Sequence, residues 1–173
     1  MLLAKGFAGS VVHRLMQLVS GGHTAVAVNG QTSNFFANGR GLRQGDAASP
    51  LLFNFVADAL SHILSRAAAA GHISPAISHL IPNGISHLQY ADDTIILVEL
   101  NDDSITNLKL LLCFEALSGL KINFSKSEAI VTGVSAVEAQ RVAHLLNCSL
   151  GSFPLKYLGL PISPLKLLAN DLA

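Results

Sequence analysis

Asp92 and Asp93 stand side by side between two short strand-like runs, Ile85 to Tyr90 and Thr94 to Glu99, with only Ala91 between them and the first run. That spacing predicts a tight hairpin with both carboxylates at its tip. Adjacent acids repel each other, and holding both ionised costs stability unless a cation lies between them. Oxygen ligands on a rigid hairpin suit Mg²⁺, which takes one or two carboxylates together with waters and phosphate oxygens. The chemistry this serves is phosphoryl or nucleotidyl transfer, in which two ions about 3.5 to 4 Å apart activate the attacking oxygen and stabilise the leaving one. Taken as a dipeptide alone, the pair reads first as an exposed turn, where Asp is common because it hydrogen-bonds its own backbone.

The elements that must hold this tip follow from periodicity. Ser10 to Ser20 has apolar residues at helical spacing and stops at Gly21-Gly22. Thr24 to Val28, the turn pair Asn29-Gly30 and Phe35-Phe36 predict a β-hairpin with a somewhat long loop. Ser49 before Pro50 predicts a capped helix running to Ala70, ahead of Gly71. A second long helix is expected from Asp103 or Ser104, with Asp102 and Asp103 as caps and with Ile105, Leu108, Leu111, Leu112, Cys113 and Leu117 on its apolar side, stopping at Gly119. Lys121 to Phe124, Ala129 to Thr132 and Leu155 to Leu160 are strand candidates. Ser135 with Glu138 forms a capping-box pair for a helix through Leu146. The pattern predicts a single α+β domain over residues 1–173, without repeats or a linker.

Composition sharpens the picture. The chain has 173 residues, 50% hydrophobic and only 13% charged, with 11 basic and 11 acidic side chains; globular chains average about a quarter charged. A disordered charged tail is excluded. No apolar run approaches the roughly 18 to 20 residues of a membrane helix. A mean hydropathy of +0.48 is high for a small soluble domain and fits a domain that is incomplete. The zero net charge hides an asymmetry: residues 1–45 contain no acid, whereas Asp92, Asp93, Glu99, Asp102 and Asp103, five of the 11 acids, lie between Arg66 and Lys109 with no Lys or Arg among them. Such a segment attracts cations. The basic start has the composition of an organellar transit peptide but runs directly into a strand-turn-strand pattern, and Lys5, His13 and Arg14 interrupt any secretory apolar core. Cys113 and Cys148 lie far apart, so neither a disulfide framework nor a zinc knuckle is supported, and no pair among the seven histidines has zinc-ligand spacing with a cysteine. A reduced intracellular setting is the default expectation.

Tyr90-Ala91-Asp92-Asp93 between apolar strands resembles the signature tetrad of reverse transcriptases. Gly41-Leu42-Arg43-Gln44-Gly45-Asp46 through Ser49-Pro50-Leu51-Leu52-Phe53 resembles the family's template-and-nucleotide loop and helix. Ser118-Gly119-Leu120-Lys121-Ile122-Asn123-Phe124-Ser125-Lys126-Ser127-Glu128 and Leu155-Lys156-Tyr157-Leu158-Gly159-Leu160-Pro161 resemble its next two blocks, in the family's order. The combination is similar to LINE-type (non-LTR) retrotransposon reverse transcriptases, especially those of plants.

The resemblance implies a polymerase palm: an antiparallel sheet with helices packed on one face. It implies synthesis of DNA on an RNA template, with a DNA primer, dNTPs and two Mg²⁺ ions as partners and a nuclear or cytoplasmic setting. Asp92 and Asp93 would be the metal ligands and Tyr90 would pack near the primer end. Arg43, Gln44, Gly45 and Ser49 would face template and nucleotide, and Tyr157, Leu158 and Gly159 would belong to the primer grip. Lys126, or the nearby Lys121, would protonate the pyrophosphate leaving group. Gly45 serving only backbone shape, Lys126 as a solvated charge and Tyr157 as a half-buried strand residue remain alternatives. Asp58, mid-helix, is expected to be exposed or loosely paired.

The family's two-metal centre also uses an Asp on a strand before the first helix, yet no acid precedes Asp46. Ala47-Ala48 stand where the family usually has Pro-Leu, which removes a backbone constraint before the helix. The expectation is therefore a palm-centred fragment lacking its first strand, fingers and full thumb, and inactive by itself. Losing one of three ligands weakens charge neutralisation, an effect typically worth several kcal/mol of barrier. Two alternatives stay open: a non-enzymatic retroelement remnant that binds nucleic acid or another chain through exposed apolar surface, and a small acidic cation-binding module.

Overall fold

The computed structural model describes residues 2–39, 41–111, 114, 118–164 and 166. Two compact units make up the chain, residues 1–59 and 60–173.

In the first unit a short 3-10 turn, Leu3–Lys5, precedes helix α1, Gly9–Ser20. Val12, Leu15 and Val19 form the half-buried stripe of α1, while Leu18 is exposed. The hairpin that follows is interrupted. Strands β1 (His23–Thr24) and β4 (Phe36–Ala37) pair at its base, and β2 (Ala27–Val28) and β3 (Gln31–Thr32) pair at its tip. Asn29 and Gly30 both have positive φ, 50° and 80°, as a two-residue primed turn requires. The expected long loop is thus a tight turn, and the irregularity lies mid-hairpin, where the Ser33 hydroxyl accepts the Val26 N–H at 3.0 Å.

Helix α2, Ser49–Ala69, has Pro50 in its first turn, where a missing N–H costs nothing. Ser49 does not cap it as expected. Its hydroxyl donates to the Arg43 carbonyl at 2.6 Å, and Asp46 Oδ1 accepts the Ala48 N–H at 2.9 Å. The unit boundary falls within α2.

The second unit is built on the later half of α2. Leu64 and Ile73 are each 1% exposed and pack with Ala67 and Leu108, flanked by Leu60, Ala68, Ile96, Val98 and Leu146. Strands β5 (His87–Tyr90) and β6 (Asp93–Ile96) form an antiparallel hairpin over this core. Helix α3, Asp102–Leu111, begins at Asn101, whose side chain accepts the Ser104 N–H at 2.7 Å; Asp102 and Asp103 occupy its first turn instead of the cap. The expected positions Leu112, Cys113 and Leu117 lie outside the described residues.

The expected strand at Lys121–Phe124 is absent: Phe124–Lys126 is a 3-10 turn, with the Ser125 hydroxyl donating to Asn123 Oδ1 at 2.7 Å. Strand β7 is only Glu128–Ala129 and pairs in parallel with β8, Ser149–Leu150. Helix α4, Ala136–Leu145, starts at Ser135, whose hydroxyl accepts the Glu138 N–H at 3.3 Å, as the capping box predicts. It buries Ala139, Val142 and Ala143. The last expected strand is a hairpin, β9 (Leu155–Tyr157) with β10 (Leu160–Ile162), so Pro161 lies inside a strand. The chain is therefore α+β, with its described strands paired two by two, four pairs antiparallel and one parallel.

Candidate functional site

The β5–β6 register sets the carboxylates. Tyr90 pairs with Asp93, Gln89 with Thr94, Leu88 with Ile95 and His87 with Ile96, which leaves Ala91 and Asp92 as a two-residue turn. Ala91 alone of these two has positive φ, 50°, a backbone state that costs an L-residue roughly 1 to 2 kcal/mol. Residues paired across an antiparallel ladder share a face, so Asp93 lies on the face of Tyr90, Leu88 and Ile95. Tyr90 is 62% exposed there. The opposite face carries Ile96 into the core, and His87 bonds to Ser61 of α2 at 2.8 Å.

Asp92 and Asp93 are both exposed. Among the described residues neither carboxylate makes an ion pair, so all their oxygens stay open to solvent or a ligand. Hard anionic oxygens on a stiff turn fit Mg²⁺ by donor chemistry. They supply two carboxylates, and among the described residues no group of three His, Cys, Asp or Glu could hold a metal ion.

The base of the hairpin is held by a segment that the sequence does not flag. The Ala76 N–H donates to the Leu97 carbonyl at 3.2 Å, the Glu99 N–H to the Ser74 carbonyl at 2.8 Å, and the Ile85 N–H to the Ala76 carbonyl at 3.0 Å. Ser104, 2% exposed, fixes this segment by accepting the Ser74 N–H at 3.0 Å. Gly84 lies against it at φ 63°, where an added Cβ would come within 2.7 Å of the Ala76 carbonyl oxygen.

The other expected site residues fall in three further places. Lys126 ends the 3-10 turn and is exposed, as is Lys121. Among the described residues Lys126 has no hydrogen bond or ion pair to Asp92 or Asp93. Tyr157 is half-buried at the end of β9, while Leu158 and Gly159, at φ 52° and 81°, form the β9–β10 turn. In the first unit, Arg43, Gln44 and Gly45 are exposed in the loop before α2, with Gly45 at φ 82° and open space where a Cβ would be. Ser49 is half-buried there, and its hydroxyl is engaged by Arg43. Asp58 is half-buried and ion-paired with Lys5.

Two open carboxylates on a strand turn present hard oxygen donors of the kind that divalent cations take. The chain belongs to the reverse transcriptase (RNA-dependent DNA polymerase) family, which it matches over residues 4–162. It is 28% identical over 116 residues to a retrovirus-related Pol polyprotein from the type-1 retrotransposable element R2 of Popillia japonica, covering 67% of this chain and 18% of that protein. It is 31% identical over 125 residues to a retrovirus-related Pol polyprotein from the type-2 retrotransposable element R2DM of Drosophila melanogaster, covering 72% and 11%. An uncharacterized mitochondrial protein of Arabidopsis thaliana is 40% identical over 68 residues, 39% of this chain and 55% of that one. The chain thus spans less than a fifth of the two Pol polyproteins it matches. These relatives bear out the resemblance to LINE-type reverse transcriptases. Among the described residues no helix is long and apolar enough to cross a membrane.

Proposed function

We propose that the Asp92–Asp93 turn is the metal-holding part of a palm-type centre that extends a DNA primer on an RNA template from dNTPs. The observation that carries this reading is the pair of exposed carboxylates, without an ion pair among the described residues, at and beside a two-residue hairpin turn next to Tyr90, inside the region of the family match. Mg²⁺ bound there would neutralise charge building on the phosphate oxygens. Asp92, in the turn, and Asp93, in the ladder, would hold it; Tyr90 would offer its exposed ring to the primer end. The exposed loop of Arg43, Gln44 and Gly45, braced by Ser49, would meet template and nucleotide. The Leu158-Gly159 turn after Tyr157 would grip the primer, and Lys126 would donate a proton to the leaving pyrophosphate.

The chain alone does not polymerise on this reading, since two carboxylates cannot hold two ions as three do. The same observation supports a second reading, in which the chain acts only as a non-enzymatic binding module. Two measurements separate them. Mn²⁺ added to the chain should broaden the Tyr90 to Thr94 amide resonances, an effect lost in Asp92→Asn, while primer extension on an RNA template with Mg²⁺ and dNTPs yields no product. Absence of broadening in folded protein at millimolar Mn²⁺ overturns the metal site and leaves the binding module. Product that disappears in Asp92→Asn overturns the claim of inactivity.

A further inference from the structure

We propose that Ser104 is a positioning residue for the carboxylate turn: its hydroxyl fastens the segment Ser74 to Ala76, and through it both strands of the β5–β6 hairpin, to helix α3. The functional meaning of this tie rests on the metal-holding reading of Asp92 and Asp93; the tie itself does not.

Among the described residues Ser104 is the one polar side chain that is buried, at 2% exposed. Serine is a mediocre helix former, and a hydroxyl taken out of water costs stability unless it is hydrogen-bonded. Alanine would serve the helix and its packing better. What the hydroxyl does is accept the Ser74 N–H at 3.0 Å. Asn101 completes the clamp with both ends of its carboxamide: Oδ1 accepts the Ser104 N–H at 2.7 Å and Nδ2 donates to Ser74 Oγ at 3.4 Å.

Ser74 passes the tie on. Its carbonyl accepts the Glu99 N–H at 2.8 Å, the Ala76 N–H donates to the Leu97 carbonyl at 3.2 Å, and the Ala76 carbonyl accepts the Ile85 N–H at 3.0 Å. The segment thereby grips both the chain leaving β6 and the chain entering β5. The ladder above it has only four residues a side, and a two-stranded ribbon is marginal in water unless it is docked. Leu88, Tyr90, Asp92 and Asp93 are exposed, so the tip depends on how its base is held. With the base released the ribbon frays, and the two carboxylates lose the fixed geometry that Mg²⁺ demands.

The test is made on the intact chain by NMR. Ser104→Ala should lower the exchange protection of the Ala76, Leu97 and Glu99 amides by about fivefold, the equivalent of one hydrogen bond. It should also move the metal-free Tyr90 to Thr94 amide resonances toward their unfolded positions. Apparent affinity falls by the fraction of molecules that keep the binding-competent form, so the Mn²⁺ concentration that half-broadens those resonances should rise about twofold or more. Ser104→Thr, which keeps the hydroxyl, should match wild type in all three. Val142→Ala truncates a side chain of α4 that is 3% exposed and outside the clamp. It should lower the urea midpoint while leaving the turn resonances and the Mn²⁺ midpoint in place. A Ser104→Ala protein whose turn resonances and Mn²⁺ midpoint equal those of wild type overturns the proposal, as does an equal change in Val142→Ala or Ser104→Thr. If wild type shows no broadening at millimolar Mn²⁺ while the metal-free turn resonances follow the Ser104 hydroxyl, the metal reading fails and the positioning role stands.

Discussion

Replacing Gly84 by alanine tests whether the close approach at the base of the carboxylate hairpin is real. At φ 63° the new residue adopts a left-handed backbone, and its Cβ would lie 2.7 Å from the Ala76 carbonyl oxygen and 2.9 Å from Pro75 Cβ. Neither neighbour is the free end of a flexible chain. The Ala76 carbonyl accepts the Ile85 N–H and the Ala76 N–H binds Leu97, so a shift that relieves the clash pulls on both. Gly133 is the control, since it has φ 80° and open space around its missing Cβ. Backbone strain, less the entropy gained by restricting the unfolded chain, makes Gly133→Ala cost about 1 kcal/mol. Gly84→Ala adds an overpacking term of about 1 to 3 kcal/mol, for a total of about 2 to 4 kcal/mol. Urea unfolding followed by circular dichroism reads both, with unchanged m-values licensing the comparison. Equal midpoints for the two variants would refute the reasoning, because they share strain and differ only in contact.

Leu64→Ala removes a side chain only 1% exposed at the centre of the second unit's core and should cost about 2 to 5 kcal/mol in the same assay, whereas Leu18→Ala, 68% exposed, should cost less than about 0.5 kcal/mol. Asn101→Ala deletes the acceptor for the Ser104 N–H and should cost about 1 kcal/mol, with Asn101→Asp recovering most of it. The histidine linkage fixes the sign of the pH dependence. A His87 pKa lowered from 6.5 on folding means that the unfolded chain binds more protons. The contribution is therefore intact above 6.5 and is lost as pH falls from there through the folded value. The urea midpoint of wild type should therefore fall relative to that of His87→Gln between pH 7.5 and pH 5.5; a difference constant over that range would contradict it.

The helices were legible wherever apolar spacing and capping residues agreed. Ser135 and Glu138 mark the start of α4 because the hydroxyl reaches the N–H three residues on. At Ser49 the same residue type misleads: its hydroxyl finds the Arg43 carbonyl, a tertiary partner that local sequence does not announce. Asp92-Asp93 marks a tip because acids end apolar strands. The Leu158-Gly159 turn hides because leucine seldom adopts the positive φ of 52° that it has here. The run Lys121 to Phe124 has strand-like composition but no ladder partner among the described residues, and the Asn123–Ser125 hydrogen bond favours a local turn. His87 was read only against zinc spacing, and its signal, a histidine facing a serine 26 residues earlier, becomes visible once α2 and β5 are packed.

The exposure of the carboxylate tip has a consequence for how such a sequence ages. Tyr90, Asp92 and Asp93 are all exposed, and the buried cluster of Leu64, Ala67, Ile73 and Leu108 includes none of them. Surface replacements of this kind change stability by less than about 0.5 kcal/mol. Folding quality control is therefore blind to their loss, and copies whose tip has been erased would accumulate as folded protein. Abundance of the folded chain is no proxy for the chemistry of its tip; only the aspartates themselves report it.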